Sequence, residues 1–225
     1  MLAITICVAT VIVFFLMKKM YARFYHPIFF PVFTSAIIII GVLLLFHIPY
    51  ETYMVGGQWI NRLLGPAVVS LALPLYRQRK LIIKNYKAIL TGIVVALIVG
   101  TGSAVALAGL FHFKNEYLRT LIPKSITSPV AMQISKVIDG NPTLAAVFVI
   151  ITGIIGAIVG PLLYKICKID TPIAKGVAMG SSAHGIGVGK LTEYGEKTVS
   201  MGSVSMTLTA LLGAILIPIA VIIFF

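Results

Sequence analysis

The sequence predicts an all-α fold, a polytopic transmembrane helical bundle with about six full spans and two broken or re-entrant segments. Three observations carry this. Hydrophobic residues make up 59% of the chain and charged residues 11%, whereas about a quarter of a soluble domain is charged. The mean hydropathy is +1.06, and the apolar residues gather into runs of helical length, not into the ten-residue alternating segments of an outer-membrane barrel. Finally, residues 172–190, PIAKGVAMGSSAHGIGVGK, put five glycines and a histidine inside this apolar chain. Each Gly costs a helix about 1 kcal/mol relative to Ala, and broken backbone at membrane depth survives only where protein or a watery cavity surrounds it.

The formal net charge is +12, but the basic residues flank apolar runs. They read as topology signals and not as a nucleic-acid footprint. Cys7 and Cys167 lie at or inside such runs and read as small buried residues, without a disulfide framework.

The first run, residues 2–17, has no basic residue before it and Lys18, Lys19 and Arg23 after it. That order is the reverse of a secretory signal, so the run is a membrane helix ending in the cytoplasm. The second, 27–46, returns to the outside, where 47–58 forms a loop with Glu51 and no Lys or Arg. Tyr21, Tyr25, Tyr50, Tyr53 and Trp59 fall at membrane edges, as do His26, His47 and His112. The third run, 60–76, is interrupted by Gly65-Pro66 and Pro74. Arg77, Arg79, Lys80, Lys84 and Lys87 then give the strongest cytoplasmic mark, with an amphipathic surface stretch over 80–87. The fourth run, 88–111, goes back out.

Residues 117–140 are too polar and too broken for a lipid-facing span. Asn141-Pro142 has the form of an N-cap followed by Pro at N1, and opens a run to residue 164. Lys165 and Lys168 place the end of that run inside. It follows that 117–140 begins and ends outside, while 172–190 begins and ends inside before a last crossing over 198–225. The alternative, a full crossing within 118–137, reverses everything after it. The chain reads as one integral membrane domain, 1–225, with N-terminal helices to 111 and then two units, 117–164 and 172–225. Each unit is a broken segment followed by a long helix. Opposed units of this kind suggest an inverted repeat, the signature of secondary transporters.

Half-helices that end inside a bundle turn unsatisfied N–H groups toward the gap, which suits a carboxylate. Ser128-Pro129 has the form of an N-cap and N1 pair. The backbone around Gly180 to Gly185 offers N–H groups, with Ser181 and Ser182 beside them. His184 either changes charge with pH and joins anion binding to proton uptake, or stays neutral and satisfies a carbonyl in the break. Lys124 either faces the anion across the gap or snorkels to the outer surface. No second His, Cys or carboxylate stands at ligand spacing from His184, so neither a metal nor another cofactor is expected. A Ser181 or Ser182 nucleophile with His184 as base lacks an orienting acid, so no enzyme is expected.

PKSITSPVAMQIS (residues 123–135), NPTLAAVFVIITGIIGAIVGPLL (141–163) and MGSSAHGIGVGK (179–190) closely resemble the LrgB/CidB family of bacterial membrane proteins. The resemblance covers most of the chain and is dense from residue 121 onward. It implies a multi-pass protein of the bacterial plasma membrane that works with a small LrgA/CidA-like membrane partner. Relatives were described as holin-like or antiholin-like regulators of murein hydrolase activity and lysis, and others are linked to pyruvate, glycolate and glycerate transport. Gly180, His184 and Gly187 carry over. The family's Ser before the His does not, since Ala183 stands there, unless Ser181 or Ser182 replaces it.

The leading expectation is a transporter of small monocarboxylates. Its binding groups would be Lys124, Ser125, Thr127, Ser128, Gly180, Ser181, Ser182, His184, Gly185 and Gly187. The alternative is a holin-like or antiholin-like regulator, for which Gly153, Gly156 and Gly160 would form a small-residue helix face for oligomerisation. A homodimer is expected from the general preference for twofold symmetry.

Overall fold

The computed structural model describes residues 1–24, 29, 31–70 and 72–224. The expected edge residues Tyr25 and His26, the first residues of the 27–46 run except Phe29, and Phe225 lie outside the described residues. The chain divides into two compact units, Met1–Val69 and Ser70–Phe225.

The first unit contains α1 (Leu2–Phe24), α2 (Pro31–Leu45) and α3 (Tyr50–Arg62), and most of α4 (Leu64–Ser70). Helix α1 buries none of its side chains within the protein, as a lipid-facing helix should. The loop expected over 47–58 is a correction, because most of it belongs to α3. Glu51 in the first turn and Arg62 in the last complement the α3 dipole. Gly56 lets α3 rest on α1, where an added Cβ would meet the Ile6 side chain at 2.6 Å and the Ala3 carbonyl at 2.7 Å. The Cys7 thiol donates to the Gly56 carbonyl at 3.2 Å, and the Thr10 and Tyr53 hydroxyls meet at 3.3 Å.

The interruption expected in 60–76 is present. That stretch is divided among the end of α3, α4 and α5 (Ala72–Arg77). Pro66 and Pro74 fall in the first turns of α4 and α5, where a missing N–H costs nothing. The second unit continues through α6 (Arg79–Lys84), which covers part of the 80–87 stretch, into α7 (Tyr86–Leu110). Among the described residues four helices are long and apolar enough to cross a membrane: α1, α7, α10 (Pro142–Ile166) and α12 (Glu196–Phe224). Helix α2 is apolar over 15 residues, about 22 Å at 1.5 Å per residue.

Two hairpins lie between the long helices of the second unit. The first is α8 (Asn115–Leu121), a 3-10 turn (Ile122–Ser125) and α9 (Ser128–Val137). Its two ends meet: the Asn141 N–H donates to Thr120 Oγ1 at 2.8 Å, and Arg119 pairs with Asp139 at 3.4 Å. Its tip reaches Gly100, ten residues inside the end of α7, or about 15 Å along the axis. Residues 115–140 thus enter and leave the bundle at one end. The second hairpin is α11 (Pro172–Lys190), whose axis breaks at His184 with φ 40° and ψ −136°. Beyond the break the chain folds back, so that Gly187 packs on Met179 and Ala183, and Tyr194 lies 5.7 Å from the Tyr164 ring.

Helix α10 connects the hairpins. Asn141, whose side chain accepts from the Leu144 N–H at 3.0 Å, caps it at the base of the first hairpin. Tyr164, whose hydroxyl donates to the Lys175 carbonyl at 2.8 Å, lies at the base of the second. The hairpins therefore enter from opposite ends of α10.

Close packing at small residues holds them there, the device expected where lipid removes the hydrophobic drive between helices. On α10, Gly153, Gly156 and Gly160 receive His184, Ala183 and Met179 of α11. On the other side of α11, Gly180 meets the backbone of Gly202 in α12, and Gly176 meets Met201. The buried stripes of α7 (Ile89, Ile93, Leu97, Ala104, Ala108) and α10 (Ala145, Val149, Gly153, Ala157) follow helical spacing toward the same core.

Candidate functional site at the hairpin tips

The 3-10 turn puts Lys124 and Ser125 at the tip of the first hairpin. The Lys124 ammonium does not reach for an outer surface. It donates to the Gly100 carbonyl of α7 at 2.9 Å, and that oxygen also accepts from Ser103 Oγ at 3.0 Å. The ion pairs among the described residues are Arg119–Asp139 and Lys190–Glu193, so no carboxylate answers the charge of Lys124. An ammonium has three donors, and this carbonyl takes one.

Ser125 is held against Gly100, where an added Cβ would stand 3.4 Å from Ser125 Oγ. The helix after it starts one residue earlier than expected. Thr127, at φ −60° and ψ 139°, is the N-cap of α9, with Ser128 at N1 and Pro129 at N2. Thr127 Oγ1 is buried without a hydrogen-bond partner among the described residues.

Ser181 and Ser182 come from the first half of α11, just before its break. Their hydroxyls donate to the Val177 carbonyl at 2.6 Å and the Ala178 carbonyl at 2.7 Å. An anion would be met by rotating either O–H away from its own helix. A cavity of about 860 Å³ runs along α7 and α11 and brings Ser181, Ser182, Ser125 and Gly100 together. A second of about 390 Å³, between α10 and α11, shares Ser125, Ala178, Ile169 and Ser182 with the first. Ser125 and Ser182 therefore stand where the two spaces adjoin.

His184 belongs to the frame of this site and not to the cavity walls. The ring is 4% exposed and its Nε2 lies 2.8 Å from the Val149 carbonyl. A carbonyl only accepts, so Nε2 carries the proton. Gly153 makes room, since an added Cβ there would fall 2.6 Å from the ring's Cε1. Of the two roles open to His184 in the sequence, this geometry matches the satisfied carbonyl. Among the described residues neither Ser181 nor Ser182 bonds to it, and no three His, Cys, Asp or Glu side chains gather as metal ligands.

Gly180 and Gly187 of the motif lie at close contacts within the fold. The backbone before His184 is helical, and Gly180 lies against the backbone of Gly202. Gly187 likewise serves the fold-back onto Met179, while Gly185 is exposed and has only Met206 Sδ, at 3.9 Å, near its Cβ direction.

Sequence reasoning missed the α7 side of the site: Gly100, Ser103, Thr91 and Asn85. One signal was present, since Gly100-Thr101-Gly102-Ser103 interrupts an otherwise apolar run with small and hydroxyl residues.

The LrgB-like family profile matches residues 10–223 of this chain. The Bacillus subtilis (strain 168) protein YxaC is 46% identical over 99% of this chain and 97% of its own length. YwbG of the same organism is 36% identical over 90% of each chain. The holin-like protein CidB of Staphylococcus aureus (strain N315) is 32% identical over 99% of this chain and 97% of its own. No solved structure gives a significant match. With helices long and apolar enough to cross a membrane and a family match along nearly its whole length, this multi-pass bacterial membrane protein belongs to the LrgB-like family.

Proposed function

We propose that the protein carries small monocarboxylates such as pyruvate or glycolate across the plasma membrane, acting with a small LrgA/CidA-like membrane partner and as a homodimer. One observation carries this reading. Lys124 keeps an ammonium inside the bundle, half-buried, with a backbone carbonyl as its partner and no carboxylate among the described residues. An ionisable group inside a membrane bundle marks a substrate or ion path, because its desolvation is otherwise uncompensated. Lys124 is not among the residues that line the 860 Å³ cavity, but Gly100, whose carbonyl it meets, lines it together with Ser125 from the same tip and Ser181 and Ser182 from the opposed hairpin. A carboxylate of a three-carbon acid suits this set, with its oxygens toward Lys124 and the serines and its methyl or hydroxymethyl end toward the apolar walls.

In this reading the hairpins are the discontinuous segments of an inverted repeat, and alternating access moves them against α7 and α10. His184 positions the second tip through its bond to the Val149 carbonyl. Thermal stabilisation of the purified protein by a panel of short carboxylates tests the site. Pyruvate, lactate and glycolate are expected to raise the melting temperature of the wild type, and Lys124→Met to need at least about tenfold more ligand for the same rise. Stabilisation unaltered by Lys124→Met, Ser125→Ala and Ser182→Ala would move the site elsewhere.

The name of CidB favours a second reading, a holin-like or antiholin-like regulator of lysis. Gly153, Gly156 and Gly160, offered above as its oligomerisation face, lie against α11 within the chain. A lysis phenotype of a deletion strain that persists in medium without organic acids would favour this reading over transport.

A further inference from the structure

The densest charge in the chain lies away from the hairpin tips. Arg77, Arg79, Lys80, Lys84 and Lys87 fall within eleven residues over α5, α6 and the start of α7, and all five are exposed. No Asp or Glu interrupts them, and none of the ion pairs among the described residues involves them. The other basic stretches of the second unit contain acids: Glu193 and Glu196 between Lys190 and Lys197, and Asp170 after Lys165 and Lys168. Lys80 and Lys84 are one turn apart on α6, a spacing at which like charges repel.

The surrounding side chains set the depth of this segment. Leu81 and Ile82 are half-buried while Ile83 is exposed. The Arg79 guanidinium stacks 4.4 Å over Tyr76, and the Lys87 ammonium lies 6.0 Å from the Tyr86 ring centroid. Tyrosines with their rings against cations, beside the first turn of a long apolar helix, sit at headgroup level. A cluster of four or more cations next to a membrane helix binds anionic lipid, since each charge gains from the negative surface and two or more act on one phosphate.

We propose that residues 77–87 form a docking surface for the phosphate headgroups of anionic phospholipids, held by Arg77, Arg79, Lys80, Lys84 and Lys87. Asn85, between two of these cations, lines the end of the 860 Å³ cavity far from the hairpin tips. A lipid held here lies beside that lining residue.

Native mass spectrometry of the full chain, purified in neutral detergent and offered equal phosphatidylglycerol and phosphatidylcholine, tests the surface. The wild type is expected to retain phosphatidylglycerol in preference. Lys80→Gln with Lys84→Gln is expected to weaken that retention roughly tenfold, and Arg77→Gln with Lys87→Gln serves if the first pair does not fold. Lys18→Gln with Lys19→Gln, which removes the same charge elsewhere, is expected to leave it unchanged. Equal retention by the wild type and the Lys80/Lys84 variant overturns the proposal, as does an equal loss in the Lys18/Lys19 control. Displacement of the lipid by millimolar inorganic phosphate alone overturns the lipid as its source and leaves a site for free phosphate.

Discussion

At the scale of single residues, Lys124 and His184 divide the work that the sequence left open between them. The long stem of Lys124 can reach water from many membrane positions. Here it is turned into the bundle, toward the Gly100 carbonyl, and no carboxylate among the described residues pairs with it. Hydrogen bonds to charged groups contribute about 1.5–3 kcal/mol, so Lys124→Met is expected to weaken carboxylate binding by about tenfold to a hundredfold. Circular dichroism should show the helical content unchanged, and a titration by melting temperature checks the loss. His184 instead occupies a backbone conformation that only Gly adopts without strain. His184→Gly is therefore expected to be more stable than His184→Ala by about 1 kcal/mol, although both lose the bond to Val149. Denaturant unfolding in detergent compares the two.

At the scale of elements, the hairpins are held by contacts that tolerate change unequally. Gly180 faces the Gly202 backbone, which cannot move aside, whereas Gly160 faces the flexible end of Met179. Gly180→Ala is expected to cost about 1–3 kcal/mol, and Gly160→Ala less than about 1 kcal/mol, by the same unfolding measurement. Asn141→Ala removes the cap of α10 and should cost about 1 kcal/mol.

The cap of α10 was legible because Asn-Pro before an apolar run is a local signal. The broken character of 172–190 was legible from its glycines, but their purpose was not: whether Gly180 offers backbone to a ligand or to another helix depends on which helix it faces. Residues 47–58 misled for a related reason. Their polarity reads as a loop, yet Gly56 and Tyr53 give α3 a surface to place on α1. One-residue offsets such as Thr127 for Ser128 arise because both can cap, and φ/ψ decides between them.

At the scale of the whole molecule, charge patterning along the chain predicts two segments that each enter and leave at the same side of the membrane; in the structure two hairpins enter from opposite ends of α10. Its length separates the two bases while its middle receives the second tip at Val149 and Gly153. What patterning could not show is which polar groups converge. That required Gly100 and Ser125 from one hairpin contact and Ser181 and Ser182 from another to line one cavity. The count of crossings in the first half was harder to read, because prolines divide 60–76 into short helices whose summed hydrophobicity resembles a single span.

The most direct test of carboxylate transport through the paired tips is uptake of labelled pyruvate by proteoliposomes, made with and without the small membrane partner. Wild-type protein is expected to give saturable uptake that lactate or glycolate inhibits, and Lys124→Met to lower it at least tenfold. An absence of saturable uptake of pyruvate, lactate or glycolate by the wild type with or without the partner, in vesicles where a known carrier works, would contradict the account.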